Sequence, residues 1–343
     1  MTTHLLRSVA ELEALNTEWQ ALFLADPAST PFQHPAWLLP WWRHLGEGTL
    51  AAVIVRDATG TLLGLLPAYI YMQPETCRRD LLLLGAGTSD YLGGLFSQPA
   101  AAALALSTLL QLPEWEFADL HQLRADSPLL AAARDRSLAP TESEPCAVTQ
   151  TDPAARPSKI RLNINRYRHR AEPRGSLRLS AATTPAEALA HLETLIALHT
   201  RRWQERGESG VLATPAIQQQ HRQAVPLLLA TGLLRMVALY LDPPDQPDQP
   251  VEPDQPPQPI AILYGLVDPI RQSGPPRRFY AYLIGIDPAL AEISPGTLLL
   301  AALIEQCAAE GIQLFDMLRG GETYKRLWGA QPELTFAVRQ PRA

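Results

Sequence analysis

The chain has 343 residues and a formal net charge of −6 at pH 7, with 46% hydrophobic and only 19% charged residues. Length and apolar content fit two α/β cores rather than one, and the acidic balance excludes generic nucleic-acid binding by the surface as a whole. Cys77, Cys146 and Cys307 show no C-x-x-C spacing, which predicts a reducing, cytoplasmic compartment without a disulfide framework. The first residues lack a signal-peptide pattern, and the most apolar stretch, Leu62–Met72, is broken by Pro67, so no membrane insertion is expected.

In chain order, Val9–Leu24 places Leu12, Leu15, Trp19, Leu22 and Phe23 at helical spacing. A second helix is expected from Pro31 to about Leu45, with Thr30 as N-cap and Pro31 at the first helical position. A hairpin follows, Leu50–Arg56 and Leu62–Tyr71 around the turn Asp57-Ala58-Thr59-Gly60. Next come a strand at Leu81–Leu84, a Gly-rich loop at Gly85–Gly94, a helix at Pro99–Leu110 and a strand at Glu116–Leu120. The same order then returns. Helices are expected at Pro185–Arg206 and Pro215–Ala230, and strands at Leu234–Leu241, Ile260–Val267 and Phe279–Ile286. A loop, a helix at Pro295–Glu310 and a strand at Ile312–Met317 close the series. The repetition predicts an α/β fold of two tandem halves, each a mixed sheet flanked by helices, over residues 1–145 and 158–343. Their junction is expected near Pro140–Pro157. Residues 242–259, almost entirely Asp, Gln and Pro, read as a surface loop insertion between two strands.

Chemistry concentrates in four places. After Phe279–Ile286, Ser294-Pro295-Gly296-Thr297 opens a helix. Ser294 is expected to cap it, and the N–H groups of Gly296, Thr297 and Leu298 to face outward from a positive helix end. Such an end suits the pyrophosphate of a nucleotide cofactor, with Gly296 leaving room; ordinary capping of a buried helix accounts for the same residues. The stretch Lys159–Arg178 carries Lys159, Arg161, Arg166, Arg168, His169, Arg170, Arg174 and Arg178, and fits either an anionic ligand or a solvated basic helix. Of the 29 basic residues only Lys159 and Lys325 are lysine, a compact point charge that arginine cannot replace in tight space. Lys325 stands in Gly320-Gly321-Glu322-Thr323-Tyr324-Lys325, where acid, base and cation come together, or where a solvated turn ends a domain. Asp90-Tyr91 after the Gly-rich loop fits ligand contact or an Asx-stabilised turn. The histidines follow no ligand spacing, and no metal is expected.

A strand ending in hydrophobe-x-Pro, a Gly-containing loop, an apolar helix and a strand after Gly311 resemble the acetyl-CoA-binding core of GNAT acyltransferases. Three features narrow the resemblance to CelD-type (cellulose-biosynthesis-associated) GNAT proteins and their Fem-type aminoacyltransferase relatives. They are Ser294-Pro295-Gly296, the motif Asp316-x-x-x-Gly320-Gly321-Glu322-x-Tyr324-Lys325-x-x-Trp328, and Asp90-Tyr91. Phe32-x-x-Pro35-x-Trp37 with Trp41-Trp42 also fits, so the resemblance spans nearly the whole chain.

The resemblance implies acyl-CoA as co-substrate. Its thioester carbonyl would lie against backbone N–H groups of Leu283, Ile284, Gly285 and Ile286, and its phosphates near Ser294, Gly296 and Thr297. It implies direct transfer to the amine of a small, nucleotide-linked or carbohydrate-linked acceptor, as in polysaccharide biosynthesis. Lys325 would offset donor charge, Glu322 act as base and Tyr324 as proton donor. Asp90, Tyr91, Lys159, Arg161, Arg166 and Asp316 would hold the acceptor, although Asp316 equally suits a cap on the next turn. One departure stands out. The usual GNAT phosphate loop carries a basic residue and two glycines, whereas Ala289–Pro295 has neither Arg nor Lys and contains Glu292. Two further readings follow: Fem-like transfer from aminoacyl-tRNA, for which only Lys159–Arg178 supplies basic surface, and a non-catalytic GNAT-fold binding protein of a polysaccharide system.

Overall fold

A computed structural model describes residues 1–205, 207–244 and 258–342. Most of the expected insertion, residues 245–257, lies outside the described residues. Two compact units share the chain. The first comprises Met1–Cys146, Pro269–Pro275 and the residues from Pro332 onward; the second comprises Ala147–Asp268 and Pro276–Gln331. Each is a mixed α/β structure, as the repeated element order predicts. The C-terminal strand Gln331–Pro341, which the expected boundaries leave with the second half, pairs antiparallel with Phe117–Arg124 of the first unit.

In the first unit, one sheet runs Thr2–Leu6, Ala52–Arg56, Leu62–Leu66, Leu95–Phe96. The expected strand Leu62–Tyr71 is divided at Pro67, which has no N–H to give to a ladder. Its second part, Ala68–Met72, pairs with Arg79–Leu83 and Thr49–Leu50 instead. The expected helix from Pro31 is likewise divided, into a 3-10 turn Pro31–Gln33 and a helix Pro35–Leu45. His34 precedes a proline and is held extended at φ −75° and ψ 144°; its Nδ1 accepts the Ala36 N–H at 3.1 Å and caps the helix. That helix draws the Gly-rich loop inward: Trp37 Nε1 donates to Ser89 Oγ at 2.9 Å, and Gln33 Nε2 donates to the Tyr91 carbonyl at 3.0 Å. Asp90 and Tyr91 are therefore largely buried in the first unit's packing, with Tyr91 on the wall of a small pocket beside Gly93 and Gly94.

In the second unit, the strand order is Ser176–Ala181, Leu234–Asp242, Ala261–Val267, Arg278–Ile286, Leu314–Arg319, antiparallel until the parallel last pair. Alternation along Arg278–Ile286 sets which helices cover which face. Gly285 lies against Leu195 and Leu198 of the helix Pro185–Gln204, whereas Ile284 and Ile286 face Gly296 at the start of the helix Pro295–Ala309. The second of these faces is also covered by the helix Ser158–Ala171 and is filled by Leu263, Leu299, Ile304 and the stacked pair Phe279–Phe315, ring centroids 5.0 Å apart. No helix among the described residues is long and apolar enough to cross a membrane.

Candidate active site

The site begins where two strands part. Along one edge, Arg278–Ile286 pairs with Ala261–Val267; along the other it meets Leu314–Arg319 only at Arg278↔Leu314, Phe279↔Phe315 and Tyr280↔Asp316. Beyond Tyr280 no strand among the described residues pairs with that edge, and alternate backbone N–H groups of Leu283–Ile286 face an opening. The register with Ala261–Val267 also skips Tyr282, since Gly265 opposes Ala281 and Tyr264 opposes Leu283, a bulge that bends the strand at the same place. The Tyr282 ring packs edge-on against Tyr264 and His221, at 5.4 and 5.6 Å between centroids.

A buried polar set fixes the parting. Arg278 Nη1 donates to Asp316 Oδ2 at 2.8 Å. The Arg278 N–H donates to Asp268 at 3.0 Å, and Asp268 also accepts the Tyr280 hydroxyl at 2.9 Å. The other oxygen of Asp316 accepts the Leu318 N–H at 2.8 Å, and Leu318 has φ +60°, so the second strand is turned aside directly after its last pair. Asp316 is fully buried, and its bond to the Leu318 N–H is the turn-capping contact that its place at the strand end also suited.

A cavity of about 580 Å³ lies in the unit at this opening. Ile284, Ile286, Leu300 and Trp328 give it apolar walls; Ser294, Thr297, Arg202, Glu205 and Tyr324 give it polar ones. Ser294 stands at the N-cap position in the left-handed region, φ 49° and ψ 66°, without a side-chain cap bond. Its carbonyl accepts Thr297 N–H at 2.9 Å and Leu298 N–H at 3.2 Å, so of the three N–H groups expected to face outward these two turn back into the helix. The hydroxyls of Ser294 and Thr297 lie 2.9 Å apart on the cavity wall. A Cβ on Gly296 would come within 2.5 Å of Ile286 Cδ1, so this glycine first serves the close approach of helix to strand.

The charge missing from Ala289–Pro295 arrives from other elements. Arg170, at the end of the helix Ser158–Ala171, donates to the Glu292 carbonyl at 3.2 Å, and Arg174 pairs with the Glu292 carboxylate, which its own backbone N–H first and Arg174 second hold below the usual carboxylate range. Arg202 enters the cavity wall from the end of Pro185–Gln204, with Glu205 three residues on. Neither was singled out from sequence. The signal available was the polar cluster that interrupts an apolar helix face at its last turn.

Among the C-terminal motif residues, Tyr324 lines the cavity and Lys325 does not. Only 3% of Lys325 is exposed; its Nζ donates to the Leu318 carbonyl at 3.2 Å, to the Arg319 carbonyl, and pairs with Glu322 at 2.9 Å. Three donors thus meet three acceptors, which closes the Gly320-Gly321 turn. Glu322 is engaged in that clamp rather than in the cavity wall. Desolvation by the cavity walls pushes the Tyr324 phenol up to about 12, Glu322 adding to the shift and Arg202 opposing it, although 39% of the residue stays exposed. Of Leu283–Ile286, Ile284 and Ile286 line the cavity. Lys159, Arg161 and Arg166 are exposed on the helix Ser158–Ala171, and none lines the cavity.

Residues 158–326 match the model of the family described as Acetyltransferase (GNAT) domain. The chain is an acyltransferase. The matched span takes in every cavity-lining residue except Trp328. The fold of the acyltransferase is similar to the crystal structure of FemX, at TM-score 0.65 and 10% identity over 99% of this chain and 98% of that one. It is also similar to L-PGS from Bacillus licheniformis, at TM-score 0.58 and 13% identity over 95% and 92% of the two chains. No curated protein matches.

Proposed function

We propose that this acyltransferase takes its acyl group from acyl-CoA and passes it directly to the amine of a small or carbohydrate-linked acceptor in the cytoplasm. The observation that carries the reading is the Leu283–Ile286 edge, along which no strand among the described residues pairs with the Leu314–Arg319 side, bordering a cavity of about 580 Å³ with one apolar and one polar side. The size is that of a ligand pocket. Ile284, Ile286, Leu300 and Trp328 suit the pantetheine arm, and the Ser294 and Thr297 hydroxyls with Arg202 suit its phosphates. Arg174 neutralises Glu292 of the non-basic loop, and Arg202 brings a cation to the cavity wall.

In this reading the amine lone pair attacks the thioester carbonyl carbon while backbone N–H groups of Leu283–Ile286 hold the developing oxyanion. The C–N bond forms and the C–S bond breaks. Tyr324, kept protonated by its raised pKa, gives its proton to the departing thiolate, and Glu205 takes the proton shed by the amine. Glu205 replaces Glu322 as base because it lines the cavity, and Lys325 serves as a positioning residue for the turn that carries Tyr324. The carbohydrate-linked acceptor rests on the CelD-type sequence motifs, and the cytoplasm on three free cysteines.

Calorimetric titration with acetyl-CoA tests the reading. One site per chain is expected, and Ile286→Trp, which fills the apolar wall, abolishes it while the far-ultraviolet spectrum stays native. Undiminished binding by a folded Ile286→Trp protein would put the donor elsewhere.

A further inference from the structure

The cationic stretch divides into two sets. Arg156 and Arg168 share Glu305, Arg170 and Arg174 meet Glu292, and Arg178 pairs with Asp242. Lys159, Arg161 and Arg166 have no carboxylate partner among the described residues; Arg166 bonds only Asn163 and the Tyr167 hydroxyl. On the helix Ser158–Ala171, Lys159, Leu162 and Arg166 fall on one stripe, with Arg161 beside it. Leu162 is 69% exposed in the middle of these cations. In a chain of net charge −6, an uncompensated cationic group around a bare leucine is a recognition pattern rather than a solubility device.

We infer that this face docks an acidic, helical acyl carrier protein whose phosphopantetheine-borne thioester enters the cavity. Position supports it. The helix packs on the turn Pro288–Ile293, and Pro288 and Ala291 of that turn line the cavity, so a partner on the helix stands beside the cavity rim. Chemistry supports it as well. A protein partner uses both an apolar anchor and a charged surround, whereas an RNA backbone has no use for Leu162, and bases need stacking rings. The one aromatic here, Tyr167, is half-buried under Arg166, 5.1 Å from its centroid. This inference rests on the acyl-CoA reading, because coenzyme and carrier present the same phosphopantetheine thioester. The transfer balances in the same way: the C–S bond to the carrier's arm breaks, the amide C–N bond forms, and the carrier leaves as its free thiol.

The test measures two things on the full chain and on Leu162→Ser/Arg166→Glu, neither residue being part of the cavity. Fluorescence anisotropy follows two labelled carriers bearing acetyl-phosphopantetheine, one of the fatty-acid type and one of the peptidyl type. The thermal midpoint with acetyl-CoA reports the cavity separately. Expected are binding of at least one carrier, weakened about tenfold or more in the variant and by added salt, and an acetyl-CoA shift equal in both proteins. Binding of neither carrier, or equal binding by both proteins, overturns the docking inference while an intact acetyl-CoA shift preserves the donor reading. Patch-dependent binding of labelled tRNA in place of a carrier overturns it in favour of RNA. Absence of an acetyl-CoA shift in the unaltered chain removes the donor reading and this inference with it.

Discussion

Arg278 in the first and Asp316 in the last of the three rungs their strands share form a 2.8 Å ion pair, with side chains 5% and 0% exposed. The pair thus ties the strands together where they must separate to make the cavity. Removing one partner takes this complement from a buried charge, a loss of about 3–5 kcal/mol. Asp316→Ala is expected to lower urea stability by that amount. Arg278→Met/Asp316→Leu, which removes both charges, is expected to recover most of the loss. Equal losses in single and double variants would mean that the charges do not act as a pair.

Tyr324→Phe deletes the proposed proton donor and keeps the ring. A drop in kcat of about a hundredfold, with KM changed by less than about threefold, is expected in a thiol-release assay. Because the phenol titrates near 12, the unaltered enzyme shows no loss of rate from this group between neutrality and mild alkali. An unchanged kcat in the variant would remove Tyr324 from the chemistry.

Lys325→Met is expected to act on stability rather than on the chemical step. The Leu318 and Arg319 carbonyls lose a buried donor, so the thermal midpoint falls while kcat at a permissive temperature stays within about threefold. A large loss of kcat with an unchanged midpoint would return Lys325 to the direct charge-offsetting role that the family motif implies.

Helix and strand order in the second unit was largely legible because Pro185, Pro215 and Pro295 each stand at a first helical position and the strands between are strongly apolar. The first unit was less so. Pro67 and Pro35 were read as features within elements, yet each removes an N–H and ends what precedes it. The strand Ser176–Ala181 and the strand Gln331–Pro341 have mixed, half-exposed patterns, and nothing local shows that they pair. For the site, the motifs pointed to Ser294, Thr297 and Tyr324, which line the cavity together with Ile284 and Ile286. They could not separate Lys325 and Asp316 from these, because a buried clamp and a reactive group use the same residue types. Arg170, Arg174 and Arg202 reach the cavity region only through tertiary packing, so a loop read by itself looks unfit for phosphate.

His221 is fully buried, and burial lowers its pKa from 6.5 to about 3. The unfolded chain therefore binds this proton first. Stability from the neutral ring is full above pH 6.5 and is lost as pH falls toward 3. His34 and His199, each lowered to about 4, act in the same direction. Denaturation at pH 7 and pH 5 should show a smaller acid loss in His221→Phe than in the unaltered chain; equal losses would mean that the imidazole is already protonated when folded.

The most direct measurement is the thermal midpoint of the unaltered chain with acetyl-CoA, longer acyl-CoAs and free CoA at millimolar concentration. A ligand confined to the folded state raises stability by mass action, about 2.7 kcal/mol at a hundredfold excess over its dissociation constant. The account predicts a rise of several degrees with at least one acyl-CoA, absent in Ile286→Trp. No rise with any of them would contradict the donor cavity and turn attention to aminoacyl-tRNA.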